Sequence, residues 1–315
     1  MNQKKRYNDY TSVLKAIFPE RIQKILVNAG FTCPNRDGSK GTGGCTYCNN
    51  QSFSPEYCQP HKSIAQQVEE GIAFFSHKYP SQQYLVYFQA YTNTYDDISK
   101  LKNLYQEALS IKGVEGLVIG TRPDCVSDEL LDYLGELAQR KYIMVEYGLE
   151  STYDNTLEFI NRGHSVAEAE TALRATAERG ISTGAHLILG LPHETHDMLL
   201  ASADILNSLP INALKLHQLQ LIKGTIMAEQ YTEHPEWFRF FEVDDYIELL
   251  VDFIERLRPD IAIERFVSQS PKELLIMPHW GLKNFEFTAK VEKRLRERDT
   301  WQGKIHKEQR VKMKE

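Results

Sequence analysis

Three of the chain's five cysteines, Cys33, Cys45 and Cys48, fall within sixteen residues of the stretch FTCPNRDGSKGTGGCTYCNN, from Phe31 to Asn50. Thiols this close bind metal, carry out catalysis or form disulfides, and in a chain expected to be cytoplasmic metal or catalysis is favoured. Between Cys33 and Cys45 lie Gly38, Gly41, Gly43 and Gly44 with Pro34, Asn35 and Asp37, a loop that folds back tightly without a helix or strand of its own. Such a loop can wrap an object. A structural zinc ion takes four ligands, often as two CxxC pairs. No second pair is present, and Cys58 with His61 would complete a set only at a non-standard spacing. An iron–sulfur cluster held by three cysteines leaves one iron open to a small molecule. Spacing alone leaves three readings open: iron–sulfur, which fits the count best, zinc, and incidental thiols.

The elements that must position these thiols show in the periodicity. Short apolar runs at 24–29, 84–90, 116–120, 143–148, 181–189 and 213–219 read as strands, and amphipathic stretches at 64–78, 98–111, 127–140, 166–179 and 195–206 read as helices. Ser127 and Ser165 are expected helix starts. Six strands alternating with helices call for a parallel sheet with right-handed crossovers. The expected fold is α/β, a partial (β/α)6 TIM-like barrel with chemistry at the C-terminal strand ends; an open doubly wound sheet is the alternative. The cysteine loop follows the first strand, at that end. Residues 1–20 read as an N-terminal extension, 21–235 as the barrel, and 236–315 as a C-terminal extension packed on it. That extension holds one more strand-like run at 261–267 and a polar helix at 284–300.

Strand alternation then nominates side chains for the barrel interior. Lys215 and His217 share one face of the sixth strand, opposite Leu214 and Leu216. Glu146, Gly148 and Glu150 share a face of the fourth. Lys215, His217 and Glu146 are candidates for holding a polar substrate or moving a proton, the competing expectation being an internal Glu146–Lys215 salt bridge. Cys125 is a candidate hydrogen donor to a substrate radical, or simply a small buried hydrophobe.

With CTYC on the first loop of a six-unit βα chain, and Tyr47 before the last cysteine, the chain resembles the radical S-adenosylmethionine (SAM) superfamily. The eleven residues between Cys33 and Cys45 exceed the commonest family gap and resemble the YhcC/YtqA-type subgroup, related to the Elongator catalytic subunit. The likeness runs from about Tyr10 to Trp280. It implies that Cys33, Cys45 and Cys48 ligate a [4Fe-4S] cluster, with SAM on the fourth iron and cleaved to a 5′-deoxyadenosyl radical. It also implies a SAM site. FQAYTNT places Gln89, Ala90 and Tyr91 where the family has a glycine-rich turn, although the glycines are missing. GTRPD places Arg122 or Asp124 where relatives hold ribose or carboxylate. Glu150 in GLES precedes Arg162 in NRGH by twelve residues, a separation at which relatives have Gln and Arg for the same purpose. HLILGLPHET resembles the adenine-contacting segment, with His186 in place of an Asp.

The resemblance further implies tRNA wobble-uridine maturation, converting a 5-carboxymethylaminomethyl group to 5-aminomethyl. Hydrogen abstraction at the glycine-like CH2 would start loss of the arm, and Lys215 or Arg122 would hold its carboxylate. Implied partners are tRNA, an electron donor such as flavodoxin or ferredoxin, and a downstream methyltransferase. The alternatives are a radical SAM enzyme on a small molecule and a zinc-binding interaction protein. With no second cysteine cluster, sulfur insertion from an auxiliary cluster is not expected, and the chain has no room for an acetyltransferase domain.

Composition is that of a soluble globular protein, 42% hydrophobic and 25% charged, with a formal net charge of -6. A membrane span or secretory leader is not expected. Charge is uneven, however: Lys283 to Glu315 holds eleven Lys or Arg against six Asp or Glu. Candidate phosphate contacts are Lys4, Lys5 and Arg6 and the helix bearing Lys290, Lys293, Arg294, Arg296 and Arg298. Tyr91, Tyr95 and Trp280 are candidate base-stacking groups.

Overall fold

The computed structural model describes residues 5–49, 55–76, 79 and 81–306. In chain order come α1 (Tyr10–Ile17), β1 (Ile22–Val27), α2 (Ile64–Ser76), β2 (Gln83–Phe88), α3 (Ile98–Leu109), β3 (Val114–Thr121), α4 (Asp128–Ala138) and β4 (Tyr142–Glu150). Then follow α5 (Asp154–Phe159), α6 (Val166–Glu178), β5 (Ser182–Leu189), α7 (His196–Asn207) and β6 (Ala213–Gln218). Serine starts two of the helices as expected: the Ser127 hydroxyl accepts from the Leu130 amide at the head of α4, and Ser165 with Glu168 forms a capping box on α6.

All six expected strands pair in order and in parallel. A seventh joins them from beyond residue 235. After β7 (Leu221–Ile222), α8 (Ile226–Glu233) and α9 (Val243–Arg256), strand β8 (Ala262–Arg265) pairs with β6. The C-terminal region therefore supplies an edge of the barrel sheet in addition to packing on it. β9 (Leu275–Met277) pairs antiparallel with β7, and α10 (Asn284–Glu297) lies against α9.

The two faces of the sheet divide by residue type. Ile25, Val86, Leu117, Val145, Ala185 and Leu214 face the helices in the main core. The opposite face begins with a small apolar floor, where Leu85, Val118, Met144 and Ala262 meet Tyr10 and Leu14 of α1. The N-terminal extension is thus a plug in the barrel's lower end. Above the floor the lining turns charged. Lys24 of β1 lies 2.7 Å from Glu264 of β8 and 3.2 Å from Glu146 of β4. Side chains from opposite edges meet across the interior, so the sheet is curled into a half-barrel open at its C-terminal end.

Candidate active site

One cavity at that open end is lined by most of the side chains singled out from sequence: Cys33, Cys45, Tyr47, Cys48, Gln89, Tyr91, Arg122, Glu146, Glu150, Arg162, His186 and His217. Ala90, Lys215 and Cys125 do not line it. Cys125 sits behind Arg122 with its thiol 3.8 Å from the Asp124 carboxylate, and burial pushes its pKa up to about 12. A hydrogen donor must reach the cavity, so the hydrophobe reading suits Cys125 better. Cys58 is buried within the main apolar core, apart from the other thiols.

The cysteine loop is fastened to the α5–α6 connection. The Thr46 amide donates to the Ile160 carbonyl at 3.0 Å, and Asn35 gives its side-chain amide to the carbonyls of Asn161 and Arg162 at 2.6 and 3.0 Å. Two donors face one sulfur: Arg162 Nη1 is 3.6 Å and Asn35 Nδ2 3.7 Å from Cys45 Sγ. Asn35 was passed over in the sequence because an Asn in a glycine-rich loop reads as a turn residue; its partners are about 125 residues away.

Glycine lets Arg162 and Asn35 approach the backbone closely. A Cβ on Gly148 would lie 2.4 Å from Glu150 Oε1 and 2.7 Å from Arg162 Nη2, and one on Gly163 would lie 2.4 Å from Asn35 Oδ1. Glu150 itself sits at φ 70°, just past a register shift between Gly148 and Glu150, and Tyr91 and Asn161 nearby also have positive φ. Non-glycine residues held in the left-handed region cost about 1 kcal/mol or more each and cluster at functional sites. Arg162 bonds the Gly148 carbonyl at 2.6 Å and is 4.0 Å from Glu150, so the two side chains lie together.

Below the cavity lies a buried charged layer. Lys215 Nζ is 2.5 Å from Glu146 and 3.4 Å from Glu264, and donates to the Tyr87 hydroxyl at 3.1 Å. The internal salt bridge offered as the alternative for Glu146 and Lys215 therefore exists, and Lys24 and Glu264 complete it. Burial opposes ionisation of Glu146, but Lys215 and Lys24 outweigh it and hold the carboxyl well below its usual range. For Lys215, burial wins and lowers the pKa, despite both carboxylates. The short contacts favour an ionised pair. Burial also lowers the pKa of His186 and of His217, which favours the neutral rings.

Several residues expected to contact RNA are engaged within the protein. Trp280 stacks on Phe287 at 5.5 Å and its indole N–H donates to the Phe241 carbonyl, so it is part of the α9–α10 packing. The Tyr95 hydroxyl bonds Ser39 at 2.8 Å and steadies the cysteine loop. Lys5 pairs with Asp9 and Glu292, and Arg6 with Asp299. Arg294 pairs with Glu248, and Arg298 with Glu248, Asp252 and Glu255. Lys290, Lys293 and Arg296 stay exposed. Lys4 and the basic tail from residue 307 lie outside the described residues. Among the described residues no helix is long and apolar enough to cross a membrane.

The donor set suits a cluster that binds SAM. Three free thiols share one cavity, the number needed to ligate three irons of one cluster and leave the fourth open. Beside them Arg122 Nη1 is buried without a partner, a donor awaiting an acceptor such as a ligand carboxylate. A parallel half-barrel with such a site at its open end defines a class of cluster-and-SAM enzymes.

The family comparison agrees. Residues 32–206 match the Radical SAM superfamily and residues 211–297 the Radical_SAM C-terminal domain. The chain belongs to the radical SAM superfamily, whose enzymes use a [4Fe-4S] cluster and SAM. It is 33% identical over 304 residues to the uncharacterized protein YtqA of Bacillus subtilis, covering 96% of this chain and 94% of that one. It is 25% identical over 141 residues to the tRNA uridine(34) acetyltransferase of Methanocaldococcus infernus, 42% of this chain and 25% of the relative. Among solved structures, archaeal Elp3 of Methanocaldococcus infernus superposes with a TM-score of 0.68 at 16% identity, over 89% of this chain and 64% of that one.

Proposed function

We propose that the protein is a radical SAM enzyme of tRNA maturation that removes the carboxymethyl arm from a 5-carboxymethylaminomethyl wobble uridine, leaving 5-aminomethyl. The observation that carries the tRNA assignment is the sequence likeness to a relative named for its action on tRNA uridine 34. When bound, the cluster and SAM would supply a 5′-deoxyadenosyl radical to take hydrogen from the arm's CH2 and, by regaining one electron at the cluster, leave an imine that water would hydrolyse to the aminomethyl group, the arm departing as glyoxylate. Cys33, Cys45 and Cys48 hold the cluster, and Arg162 and Asn35 point donors at the Cys45 sulfur. Tyr47, Gln89, Tyr91, Arg122, Glu150, Arg162 and His186 bind SAM, with Ala90 contributing backbone only. Arg122 offers its unpaired Nη1 to an anionic group, and Glu150 accepts from hydroxyls. His217 faces the substrate side, while Glu146 and Lys215 act from beneath as a rigid polar floor. A reductant such as flavodoxin or ferredoxin supplies the electron, and a methyltransferase takes the aminomethyl product further.

The test is mass spectrometry of nucleosides from bulk tRNA of a strain lacking the gene and its parent. Accumulation of 5-carboxymethylaminomethyl uridines, with loss of the aminomethyl and methylaminomethyl forms, is expected. An unchanged profile would move the substrate to a small molecule and leave the superfamily assignment standing.

A further inference from the structure

Where β6 and β8 leave the sheet, the cavity wall is made by His217, Gln220, Arg265, Ser268 and Ser270, most of them unmarked by any sequence motif. The strand geometry that brings Arg265 here is unusual. Leu214 pairs with Ile263 but Lys215 pairs with Arg265, so β8 carries one extra residue at this step. Strict alternation would send Arg265 outward if Glu264 points in. The bulge lets both consecutive side chains reach the interior, Glu264 to Lys24 and Lys215, Arg265 to the cavity.

Arg265 differs from the other arginines of the cavity. Arg122 is engaged twice by Asp124 at 2.9 Å, Arg162 by the Gly148 carbonyl with Glu150 at 4.0 Å, and Arg36 by the Cys48 carbonyl at 3.1 Å. Among the described residues Arg265 bonds only the Nε2 of His217, at 2.6 Å, and its own Nε is buried without a partner. A neutral imidazole orients the guanidinium without cancelling its charge. Gln220 stands beside it with its carbonyl oxygen accepting from Ser268 and Ser270 at 3.1 and 2.8 Å, which leaves its amide N–H groups for a ligand. Among the described residues none of these five side chains is a carboxylate, and Glu146 of the same cavity is turned to His186 and Lys215. The two side chains first expected to bind a substrate carboxylate, Lys215 and Arg122, are each already paired with protein carboxylates.

We propose that Arg265, oriented by His217 and joined by Gln220, is the subsite for the substrate's carboxylate. Resting on the wobble-uridine reading, this carboxylate is the end of the carboxymethyl arm, and the subsite fixes which carbon is presented for hydrogen abstraction. Charged hydrogen bonds of this kind contribute about 1.5–3 kcal/mol, a factor of about 10 to 100 in affinity.

The test uses anaerobically reconstituted enzyme and two anticodon stem–loops, one carrying 5-carboxymethylaminomethyluridine and one its uncharged carboxamide. The wild type should prefer the carboxylate by about 10- to 100-fold in kcat/KM. In Arg265→Gln that preference should vanish, mainly through KM, with iron content and SAM binding unchanged; Arg265→Lys should recover part of it. A full preference retained in Arg265→Gln overturns the proposal. A second arm separates this from failure of the RNA reading: ligand-observed NMR of the same proteins with N-ethylglycine and N-ethylglycinamide. If the wild type ignores both stem–loops yet binds the carboxylate and not the amide, and Arg265→Gln binds neither, the subsite stands and the RNA substrate falls. Equal binding of the two small molecules, or binding unaffected by the substitution, sinks the subsite itself.

Discussion

At the scale of single residues, three cysteines line the cavity and the other two thiols do not. Cys45 faces Arg162 and Asn35 donors, whereas Cys58 lies among apolar side chains and burial pushes its pKa up to about 11. Replacing Cys33, Cys45 or Cys48 by Ala should reduce the iron of anaerobically purified protein from about four per chain, the content of one cubane cluster, to below one. Cys58→Ala and Cys125→Ala should keep it, so their retention of iron and of visible absorbance is the control. Loss of iron in either control, in protein that remains folded, would mean the ligand set has been misread. The cysteine spacing made this set legible; Asn35 was not, because its role depends on carbonyls distant in sequence.

At the scale of elements, α10 shows how a charged helix divides its residues between packing and solvent. Its periodicity identified the helix, but a count of basic residues cannot tell which of them face α9. Arg294 and Arg298 reach the carboxylates of Glu248, Asp252 and Glu255, leaving Lys290, Lys293 and Arg296 outside, with Lys293 only loosely paired to Glu297 at 3.6 Å. Reversal of the outer three to Glu should weaken tRNA binding with little change in melting temperature, and to a lesser degree at high salt. Reversal of Arg294 and Arg298 places acid against acid between two helices and should lower the melting temperature. Filter binding and thermal melting separate the two outcomes; undiminished tRNA binding after reversal of the outer three would remove α10 from the RNA footprint.

At the scale of the whole molecule, the half-barrel is closed below by α1 and floored by a balanced set of buried charges, Lys24 and Lys215 against Glu146 and Glu264. Each of these charges is buried at a cost that only its partners offset. Glu146→Gln leaves two lysines facing one carboxylate and should cost about 3–5 kcal/mol in denaturant unfolding. Adding Lys215→Met should recover part of that loss. If the single substitution were silent, the layer would be hydrated and its ion pairs weak. The floor also explains why Lys215 was attractive from sequence yet does not line the cavity: alternation says which face it is on, not how high in the barrel it stands.

The sequence by itself determined the order of strands and helices, the inward face of β4 and β6, and the cysteine loop, because these depend on periodicity and on residues close together in the chain. It also carried the superfamily resemblance. Only the tertiary structure decided what depends on curvature, register and distant pairing. The sheet's curl joins Lys24 to Glu264, a bulge turns Arg265 inward against alternation, and α9 absorbs Arg294 and Arg298 of the basic helix. These are contacts between segments dozens to hundreds of residues apart, and local pattern does not encode them.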